Sequence, residues 1–577
     1  MGSYRYFFKK FIRPYIPTMA FLIALEFISM FFSFVTPLLA KSLIDDVFIG
    51  GKTELINYVI LGTVGTYIIS SFSSFLSSYK QGELELIIFN NVTKETFNAI
   101  QLAPIKRSQE RKVGDLLSRI IANTRSAIVI FTQIIPQIFV GLARMIIPFT
   151  IMLFYNWHLT LIVTIPALLF LLPMSIFGGR LEKMQKTSLE KTALIYSFLK
   201  ENLSITPLIK AFGLETWAQD KFDEQIKNYY DASIDYTKNN SMGISANVLA
   251  YGVPMVLLII FGAPMVIQGS LTIGTFTLFT SNVALIFGPI SQFAFLWSYY
   301  KTSSPAFDRV NEILRLERDG EGNERLVIKD GVIKFEDAWF SYDNRPILQG
   351  FNSTFKKGLN YVVGDNGSGK STILKLLCSL YSLDCGQIKI DEQDISKIRR
   401  ADLQKNISMI FSDPYLFDGS IYENICIGNL SASKEDIISA AKQVRVHEFI
   451  MSLPRGYEMQ VGESGLKLSS GEKQKIALAR AVLKNSPIIL LDEVTKSVDM
   501  ESRRSINEVI KSLKNEKTII IITHNINEIE KEGNIVYLGQ GNQQKDCTYR
   551  SVEAPLPKVE FHEDHRMFKN SLNSSSE

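Results

Sequence analysis

The sequence predicts a multi-domain membrane protein in which a bundle of membrane-spanning helices is followed by an α/β domain. The chain has 577 residues, which is too long for one ordinary domain. Long apolar stretches dominate as far as about Leu314, whereas the part after about Lys329 has the pattern of a soluble α/β protein. In that second part, a glycine-rich loop lies between a strand-like and a helix-like segment, which is the setting of a strand–loop–helix unit.

Six apolar segments of the first part are each near the length that a helix needs to cross a bilayer. Buried helices of a large soluble protein are a poor alternative, because such helices are not this long with so few charges. The segments run approximately over Thr18–Leu39, Tyr58–Leu76, Ala127–Phe154, Trp157–Phe177, Val248–Ile267 and Thr275–Trp297. Only Tyr155 and Asn156 separate the third segment from the fourth, which predicts a tight hairpin there.

Two long connections, residues 79–126 and 178–247, are rich in lysine and arginine. Long basic loops belong on the cytoplasmic side of a membrane. Because an even number of spans returns the chain to its starting side, we expect a multi-pass protein of the cell membrane with the α/β domain and both termini in the cytoplasm. Charged residues alternate with apolar ones in both loops, so the membrane helices are expected to continue beyond the bilayer and turn back.

Charge and cysteine content exclude several other classes of protein. The net charge of +4 is small and gives no reason to expect a nucleic-acid partner. The cysteines form no C-x-x-C pair, which argues against a disulfide framework and suits a reducing cytosol. Two ionisable residues, Glu26 and Arg144, lie inside predicted spans, where charges are costly. Contact with a substrate explains these two residues as well as structural pairing does, or as well as span boundaries that lie several residues away.

The strongest signal in the chain is the segment 364–372, which fits G-x-x-x-x-G-K-[ST] in full. The strand-like run Asn360–Val363 precedes it and the helix-like run Ile373–Leu380 follows it, as a phosphate-binding loop requires. Backbone N–H groups of such a loop wrap the phosphates of ATP, Lys370 reaches the β- and γ-phosphates, and the Ser371 hydroxyl would bind Mg²⁺. The predicted ATP-binding residues here are Gly364, Asp365, Asn366, Gly367, Ser368, Gly369, Lys370, Ser371 and Thr372.

Two further strand-like runs each end in chemically useful residues. The run Ile488–Leu491 ends in Asp492 and Glu493, and the run Thr518–Ile522 is followed by Thr523 and His524. Ligands of parallel sheets bind at the carboxyl ends of the strands, so these side chains are expected beside the phosphate loop. Asp492 would hold Mg²⁺ through water. Glu493 and His524 are the predicted catalytic pair, with Glu493 activating the attacking water.

Further motifs resemble ATP-binding cassette (ABC) exporters of the half-transporter type over nearly the whole chain. In the second part, Leu468–Glu472 is similar to the family signature L-S-G-G-Q, Val461–Gly465 to an exporter-specific segment, and Ser497–Asp499 to the D-loop. In the first part, Gly114–Arg119 and Ile209–Glu215 resemble stretches of exporter membrane domains. These motifs are typical of exporters rather than of cassette importers.

This resemblance implies a six-helix, type IV exporter transmembrane bundle followed by an α/β P-loop NTPase domain. It also implies a dimer, in which two ATP molecules bind between the phosphate loop of one subunit and the signature motif of the other. By the same resemblance, Tyr342 stacks on adenine, and Ser469 and Gly471 contact the γ-phosphate. ATP-driven closure would turn the cavity outward, and hydrolysis would reset it.

The chain departs from the family pattern at three positions. Ser412 stands where the family has the Q-loop glutamine that reaches Mg²⁺ and the attacking water, so a shorter side chain occupies a metal-site position. Ser470 replaces a glycine of the signature, and Glu472 replaces its glutamine. A homodimer that tolerates these changes is favoured over a heterodimer in which this chain supplies a weak signature.

These observations predict four segments and one activity. The segments are a transmembrane domain at 1–316, a linker at 317–331, an ATP-binding domain at 332–545 and a polar tail at 546–577. The expected activity is ATP-driven export of a hydrophobic or amphipathic compound, whether drug, lipid or peptide, across the cell membrane. The alternatives are a peptide or bacteriocin exporter and an ATP-gated channel or sensor without transport turnover. The expected partners are a second half-transporter, membrane lipid and the transported compound.

Overall fold

A computed structural model provides the fold of the chain. It describes residues 2–106, 113–166, 171–316, 322–343, 345–496, 498–524, 529–530 and 533–538. The chain divides into two compact units. The helical unit contains Met1–Ala103 and Arg107–Arg318, and the α/β unit contains Asp319–Glu577 together with Pro104–Lys106. The predicted boundary at 316 lies close to this division, whereas residue 497 of the D-loop and all of the predicted tail lie outside the described residues.

The helical unit is built from long helices joined by short turns. Its α-helices are α1 Gly2–Phe7, α2 Ile16–Ser42, α3 Leu55–Leu102, α4 Val113–Ser118, α5 Thr124–Val129, α6 Ile135–Tyr155, α7 Trp157–Thr164, α8 Leu171–Ser204, α9 Thr206–Phe212, α10 Glu215–Ile267 and α11 Ile273–Leu314. A 3₁₀ turn occurs at Arg13–Tyr15, and π-helical turns occur at Phe8–Ile12, Leu43–Ile49, Arg119–Asn123 and Ile130–Ile134. Within the unit, α2 packs along α3, α8 along α10, and α11 along α6.

Four of the described helical stretches are long and apolar enough to cross a membrane, namely Tyr4–Ile49, Leu55–Leu102, Val113–Tyr155 and Glu215–Ile267. They contain the first, second, third and fifth predicted spans. The sixth predicted span lies within α11, whose apolar stretch Ile273–Ile286 is shorter, and the fourth includes residues 167–170, which are not described. As expected, the helices continue well beyond the apolar stretches: α10 alone has 53 residues.

Two of the short turns in the helical unit, those between α6 and α7 and between α10 and α11, are held by polar side chains. Asn156 is the only residue between α6 and α7, and its side chain accepts a 3.0 Å hydrogen bond from the Leu159 N–H. At the start of α11, Asp45 accepts hydrogen bonds from the Thr272 hydroxyl and the Gly274 N–H, at 2.6 and 2.8 Å. The bonds from Leu159 and Gly274 satisfy N–H groups that a helix start leaves without intrahelical partners.

The α/β unit contains two sheets. A parallel sheet has the strand order β6-β7-β8-β3-β9, and an antiparallel sheet has the order β2-β1-β4-β5. The strands are β1 Ile333–Tyr342, β2 Arg345–Phe355, β3 Gly358–Gly364, β4 Cys385–Ile390, β5 Gln393–Asp394, β6 Ile407–Ile410, β7 Ile488–Asp492, β8 Thr518–Ile522 and β9 Asn534–Leu538. The side chains of β7 and β8 are buried along their whole length, as expected for a parallel sheet covered on both faces.

The helices of the α/β unit cover these sheets and enclose two apolar cores. They are α12 Lys370–Leu377, α13 Arg400–Asn406, α14 Ile421–Cys426, α15 Lys434–Gln443, α16 His447–Ser452, α17 Ser470–Lys484 and α18 Met500–Leu513, with short 3₁₀ turns at Ile395–Lys397, Gly456–Glu458 and Glu463–Gly465. The predicted linker 317–331 is partly built into this unit, because Glu324 bridges to Ile398 and the Val327 N–H bonds to Gln393.

Candidate ATP site

The phosphate loop connects β3 to α12 at the carboxyl edge of the parallel sheet. Two of its glycines are required by space and by backbone geometry. A Cβ at Gly364, where φ is +153°, would lie 2.3 Å from the Leu538 carbonyl oxygen, and one at Gly369, where φ is +99°, would lie 2.7 Å from an Ile347 methyl carbon. The Ser368 hydroxyl is buried and has no hydrogen-bond partner among the described residues, which suits a site that receives a polar ligand.

Lys370 begins α12, and its ammonium group turns back over the loop. Its Nζ donates to the carbonyl oxygens of Gly364 and Asp365 at 2.9 and 2.7 Å. Burial lowers the pKa of Lys370, although the carboxylates of Glu493 and Asp365 oppose that shift. The lysine therefore places a positive charge at the loop, while Asp365, Asn366 and Gly367 are exposed around it.

Ser371 and Asp492 meet across the edge of the sheet. The Ser371 hydroxyl donates a 2.9 Å hydrogen bond to Oδ1 of Asp492, which is the last residue of β7. Burial raises the pKa of Asp492, and the bond from Ser371 partly offsets this. Two adjacent oxygen donors suit Mg²⁺, which takes few protein ligands and completes its shell with water and phosphate oxygens. The described residues contain no cluster of three or more acidic, histidine or cysteine side chains that could hold a metal by themselves.

Glu493 lies directly after β7 and is contacted by two nitrogen atoms. Its Oε1 is 2.6 Å from Nε2 of His524, which follows β8, and its Oε2 is 2.6 Å from Nζ of Lys496. Burial would raise the pKa of Glu493, but the bond from Lys496 and the charge of His524 outweigh it and lower the pKa. The backbone of Glu493 is left-handed, with φ +48°, and its N–H is fixed by a 3.1 Å bond to the Ile522 carbonyl. The structure thus brings the predicted catalytic pair together.

Ser412 lies two residues beyond β6, at the same sheet edge, because Ile410 pairs with Leu491 on β7. Its side chain is exposed, and no described contact joins its hydroxyl to Ser371 or Asp492. Its carbonyl oxygen accepts a 2.7 Å hydrogen bond from Nε2 of Gln474, a buried residue of α17. Gln474 also donates to the Phe411 carbonyl at 3.3 Å. The position of Ser412 is therefore set through its backbone.

The signature residues surround the start of α17. Ser469 and Glu472 form a capping box: the Ser469 hydroxyl accepts from the Glu472 N–H at 3.4 Å, and the Glu472 carboxylate accepts from the Ser469 N–H at 2.8 Å. Glutamate completes such a box as well as glutamine does, so this departure preserves the local fold. A Cβ at Gly471 would lie 2.8 Å from the Ser502 hydroxyl, so a larger residue there would require the Ser502 side chain to move. The described contacts of Ser469 and Gly471 do not include the phosphate loop of the same chain.

Tyr342 is the last residue of β1 and is half-buried. Its ring packs at right angles against Phe340 and Tyr381, with ring centroids 4.8 and 5.2 Å away. These edge contacts fix the orientation of the ring. Adenine stacking on Tyr342 and phosphate binding by Thr372, whose side chain is buried in the first turn of α12, remain predictions.

Two residues of the site were not singled out in the sequence, namely Lys496 and Gln474. Lys496 reaches Glu493 only because the chain turns sharply after β7. Gln474 contacts the segment after β6 only because α17 packs beside it. The first contact depends on a local turn and the second on tertiary packing, and the only signal in the sequence is the position of each residue near a motif.

Comparisons with known proteins agree with this geometry. The family model described as the ABC transporter transmembrane region matches residues 19–290, and the model described as ABC transporter matches residues 348–496. A Staphylococcus aureus protein with the provisional name multidrug export ATP-binding/permease protein is 30% identical over 473 residues, covering 81% of this chain and 82% of the relative. YgaD of Bacillus subtilis, which carries the same provisional name, is 28% identical over 92% of this chain and 94% of its own length.

Among solved structures, a bacterial Atm1-family ABC exporter with ATP bound superposes with a TM-score of 0.76. The alignment covers 91% of this chain and 93% of that chain, at 23% sequence identity. This likeness shows that the two chains share a fold over most of their length.

Proposed function

Because this chain belongs to the ABC exporters, we propose that it exports a hydrophobic or amphipathic compound from the cytoplasm by alternating access. Members of this family are multi-pass membrane proteins that hydrolyse ATP to drive transport. The observation that supports our proposal most strongly is the Glu493–His524 contact of 2.6 Å beside the phosphate loop. A protein that only bound ATP would have no need of a carboxylate held by an imidazole at the carboxyl edge of the sheet.

In this proposal, each residue of the site has one task. The loop N–H groups and Lys370 bind the phosphates of ATP, and Ser371 and Asp492 hold Mg²⁺. Mg²⁺ would supply positive charge to the phosphate oxygens. Glu493 accepts the proton of the attacking water, and His524 keeps the Glu493 carboxylate oriented. Ser412 is too short to take the role of the glutamine that the family has at this position. A water molecule is therefore proposed to bridge from its hydroxyl.

The signature motif is proposed to act on a second copy of the chain. Ser469 and Gly471 have no described contact with their own phosphate loop, so they are available to the γ-phosphate of ATP bound by a partner. The capping box of Glu472 and the exposed side chain of Ser470 show that neither departure disturbs the start of α17. A homodimer with two equivalent sites is therefore favoured over a heterodimer. The nucleotide-binding domains and both termini are proposed to be cytoplasmic.

Transport by inside-out proteoliposomes distinguishes export from the channel or sensor alternative. Vesicles containing the full chain are supplied with Mg²⁺-ATP and one of three probes: a fluorescent hydrophobic drug, a labelled phospholipid or a labelled apolar peptide. Export predicts ATP-dependent accumulation of at least one probe, and Glu493→Gln should abolish it. If Glu493→Gln and the native protein gave equal flux in the presence of ATP, the chain would be an ATP-gated channel and the proposal would be wrong.

A further inference from the structure

A polar cavity lies inside the helical unit, where α2, α3, α6 and α11 approach one another. Its volume is about 220 Å³. One part of its wall is apolar, from residues such as Leu22 and Val140. The remainder includes Gln81, Gln137 and two residues of opposite charge, Glu26 and Arg144. Polar side chains are expensive inside a membrane bundle, so a cavity that gathers several of them calls for an explanation.

The two charges of the cavity form a loose pair. Nη2 of Arg144 lies 3.7 Å from Oε2 of Glu26, which is longer than the roughly 2.7–2.9 Å of a charge-assisted hydrogen bond. Their side chains are 45% and 28% exposed, respectively. Arg144 is the only charged residue of α6, and its guanidinium has five donors in a fixed plane. In the described part of the chain it makes no hydrogen bond, so nearly all of its donor capacity is available.

Two of the neutral amides that line the cavity already donate hydrogen bonds. Nε2 of Gln81 donates to the Thr132 carbonyl oxygen at 3.0 Å, and Nε2 of Gln292 donates to Oε1 of Gln137 at 3.4 Å. Arg144 is the one cationic side chain among the described residues that line the cavity, so an incoming anion meets it as the main electrostatic partner. Glu26 neutralises the arginine without occupying its donors, which is how a displaceable counterion behaves.

We propose that this cavity binds the anionic head group of an amphipathic molecule, with Arg144 as its ligand and Glu26 as the counterion that the head group displaces. The inference rests on the proposed function and specifies the class of compound. Planar oxyanions such as carboxylates accept two parallel bonds from a guanidinium. A cavity of about 220 Å³ is smaller than the roughly 300–1,000 Å³ that drug-sized ligands fill, so it accommodates a head group while the apolar chain lies outside.

Binding of single-chain amphiphiles tests this assignment without requiring hydrolysis. The full chain is placed in phosphatidylcholine nanodiscs, and binding of radiolabelled laurate is compared with that of dodecyltrimethylammonium, which has the same chain length and a cationic head. We expect the native protein to prefer laurate. Arg144→Gln should weaken laurate binding by about tenfold or more, because the bidentate partner is lost. Glu26→Gln should strengthen it several-fold, because the competing carboxylate is gone.

Matched controls separate this role from a structural one. Arg125→Gln and Glu83→Gln change charges of the same type outside the cavity and should leave laurate binding unchanged. The exchange variant E26R/R144E keeps the pair and an arginine in the cavity, so it should fold and still bind laurate. A purely structural ion pair would instead make Glu26→Gln as harmful as Arg144→Gln. That result, or a native preference for dodecyltrimethylammonium, would overturn the proposal.

The same preparations keep this test independent of the ATP site. Measured without ATP, Glu493→Gln should bind laurate with native affinity, because the substitution lies in the α/β unit and the cavity lies in the helical unit. If the native protein hydrolysed ATP but bound laurate no better than dodecyltrimethylammonium, the head-group site would be refuted and the proposed transport cycle would not. If the native protein preferred laurate but did not hydrolyse ATP, the proposed transport cycle would be refuted and the head-group site would not.

Discussion

Nζ of Lys496 lies 2.6 Å from Oε2 of Glu493, on the carboxylate oxygen that His524 does not contact. The proposed base is thus held by two cationic or potentially cationic groups at once. Lys496 stabilises the ionised carboxylate and lowers its pKa, and it also makes that carboxylate a weaker proton acceptor. The side chain of Lys496 is 62% exposed, so its contact with Glu493 can be exchanged for water.

Replacing this lysine should therefore shift the pH dependence of ATP hydrolysis. In Lys496→Gln the pKa of Glu493 rises, because a cation that favours the ionised form is removed. Glu493 must be ionised to act as a base, so the acid limb of the rate profile should move to higher pH. The plateau rate should rise about two- to fivefold, because a more basic carboxylate accepts the proton more readily. Lys434→Gln, which changes an exposed lysine at the start of α15, is the control. If the acid limb did not move in Lys496→Gln, the proposed influence of Lys496 on the Glu493 base would be contradicted.

The short side chain of Ser412 predicts a gain of activity on substitution. Ser412→Gln should raise the basal ATPase rate or its stimulation by transported compound, because the longer amide reaches toward Ser371 and Asp492 from a backbone already fixed by Gln474. Ser412→Ala should lower the rate, because it removes the hydroxyl from which the water molecule is proposed to bridge. Rates with and without compound are measured in parallel, and an unchanged or lower rate for Ser412→Gln would refute this account of the position.

Gln474 is predicted to stabilise the α/β unit and the position of Ser412 together. Gln474→Leu leaves the carbonyl oxygens of Ser412 and Phe411 without their donor, which should lower the free energy of unfolding by about 1–3 kcal/mol. Thermal unfolding of the full chain in detergent measures this loss. Gln443→Leu, at the exposed end of α15, should leave the melting temperature unchanged. Equal melting temperatures for Gln474→Leu and the native protein would show that these bonds contribute nothing.

Two glycines of the phosphate loop should differ sharply in their tolerance of alanine. Gly364→Ala places a methyl group 2.3 Å from the Leu538 carbonyl oxygen, so the loop and β9 must separate. Gly367 has φ +81° and no atom within 4 Å of an added Cβ, so Gly367→Ala should cost only about 1–2 kcal/mol of backbone strain. Size-exclusion chromatography and binding of a fluorescent ATP analogue test this. We expect Gly364→Ala to lose binding and Gly367→Ala to retain it, and equal behaviour of the two variants would contradict the steric argument.

Local sequence patterns were sufficient to predict the strands that carry the ATP site. The expected runs at Asn360, Ile488 and Thr518 coincide with β3, β7 and β8, because a buried strand between polar turns has an unambiguous pattern. Four of the six expected spans also lie in helices that could cross a membrane. These predictions succeed where a short segment by itself determines the structure.

Contacts between distant segments could not be predicted in the same way. Nothing in the sequence indicates that Asp45 binds the start of α11 more than 220 residues away, or that Gln474 holds the segment after β6. The loose distance between Glu26 and Arg144 is likewise set by how α2 and α6 pack. The sequence could identify two costly charges, but only the structure shows that they share one cavity.

Glu493 is proposed to activate water for ATP hydrolysis, and Glu493→Gln tests this role most directly. ATP hydrolysis and ATP binding by the full chain are measured in lipid for the native protein and for this variant, with Glu508→Gln as an exposed control. Glutamine keeps the shape of the side chain but cannot accept the proton, so hydrolysis should fall by about a hundredfold or more while ATP binding persists and a closed dimer accumulates. Hydrolysis by Glu493→Gln at the native rate would contradict the account.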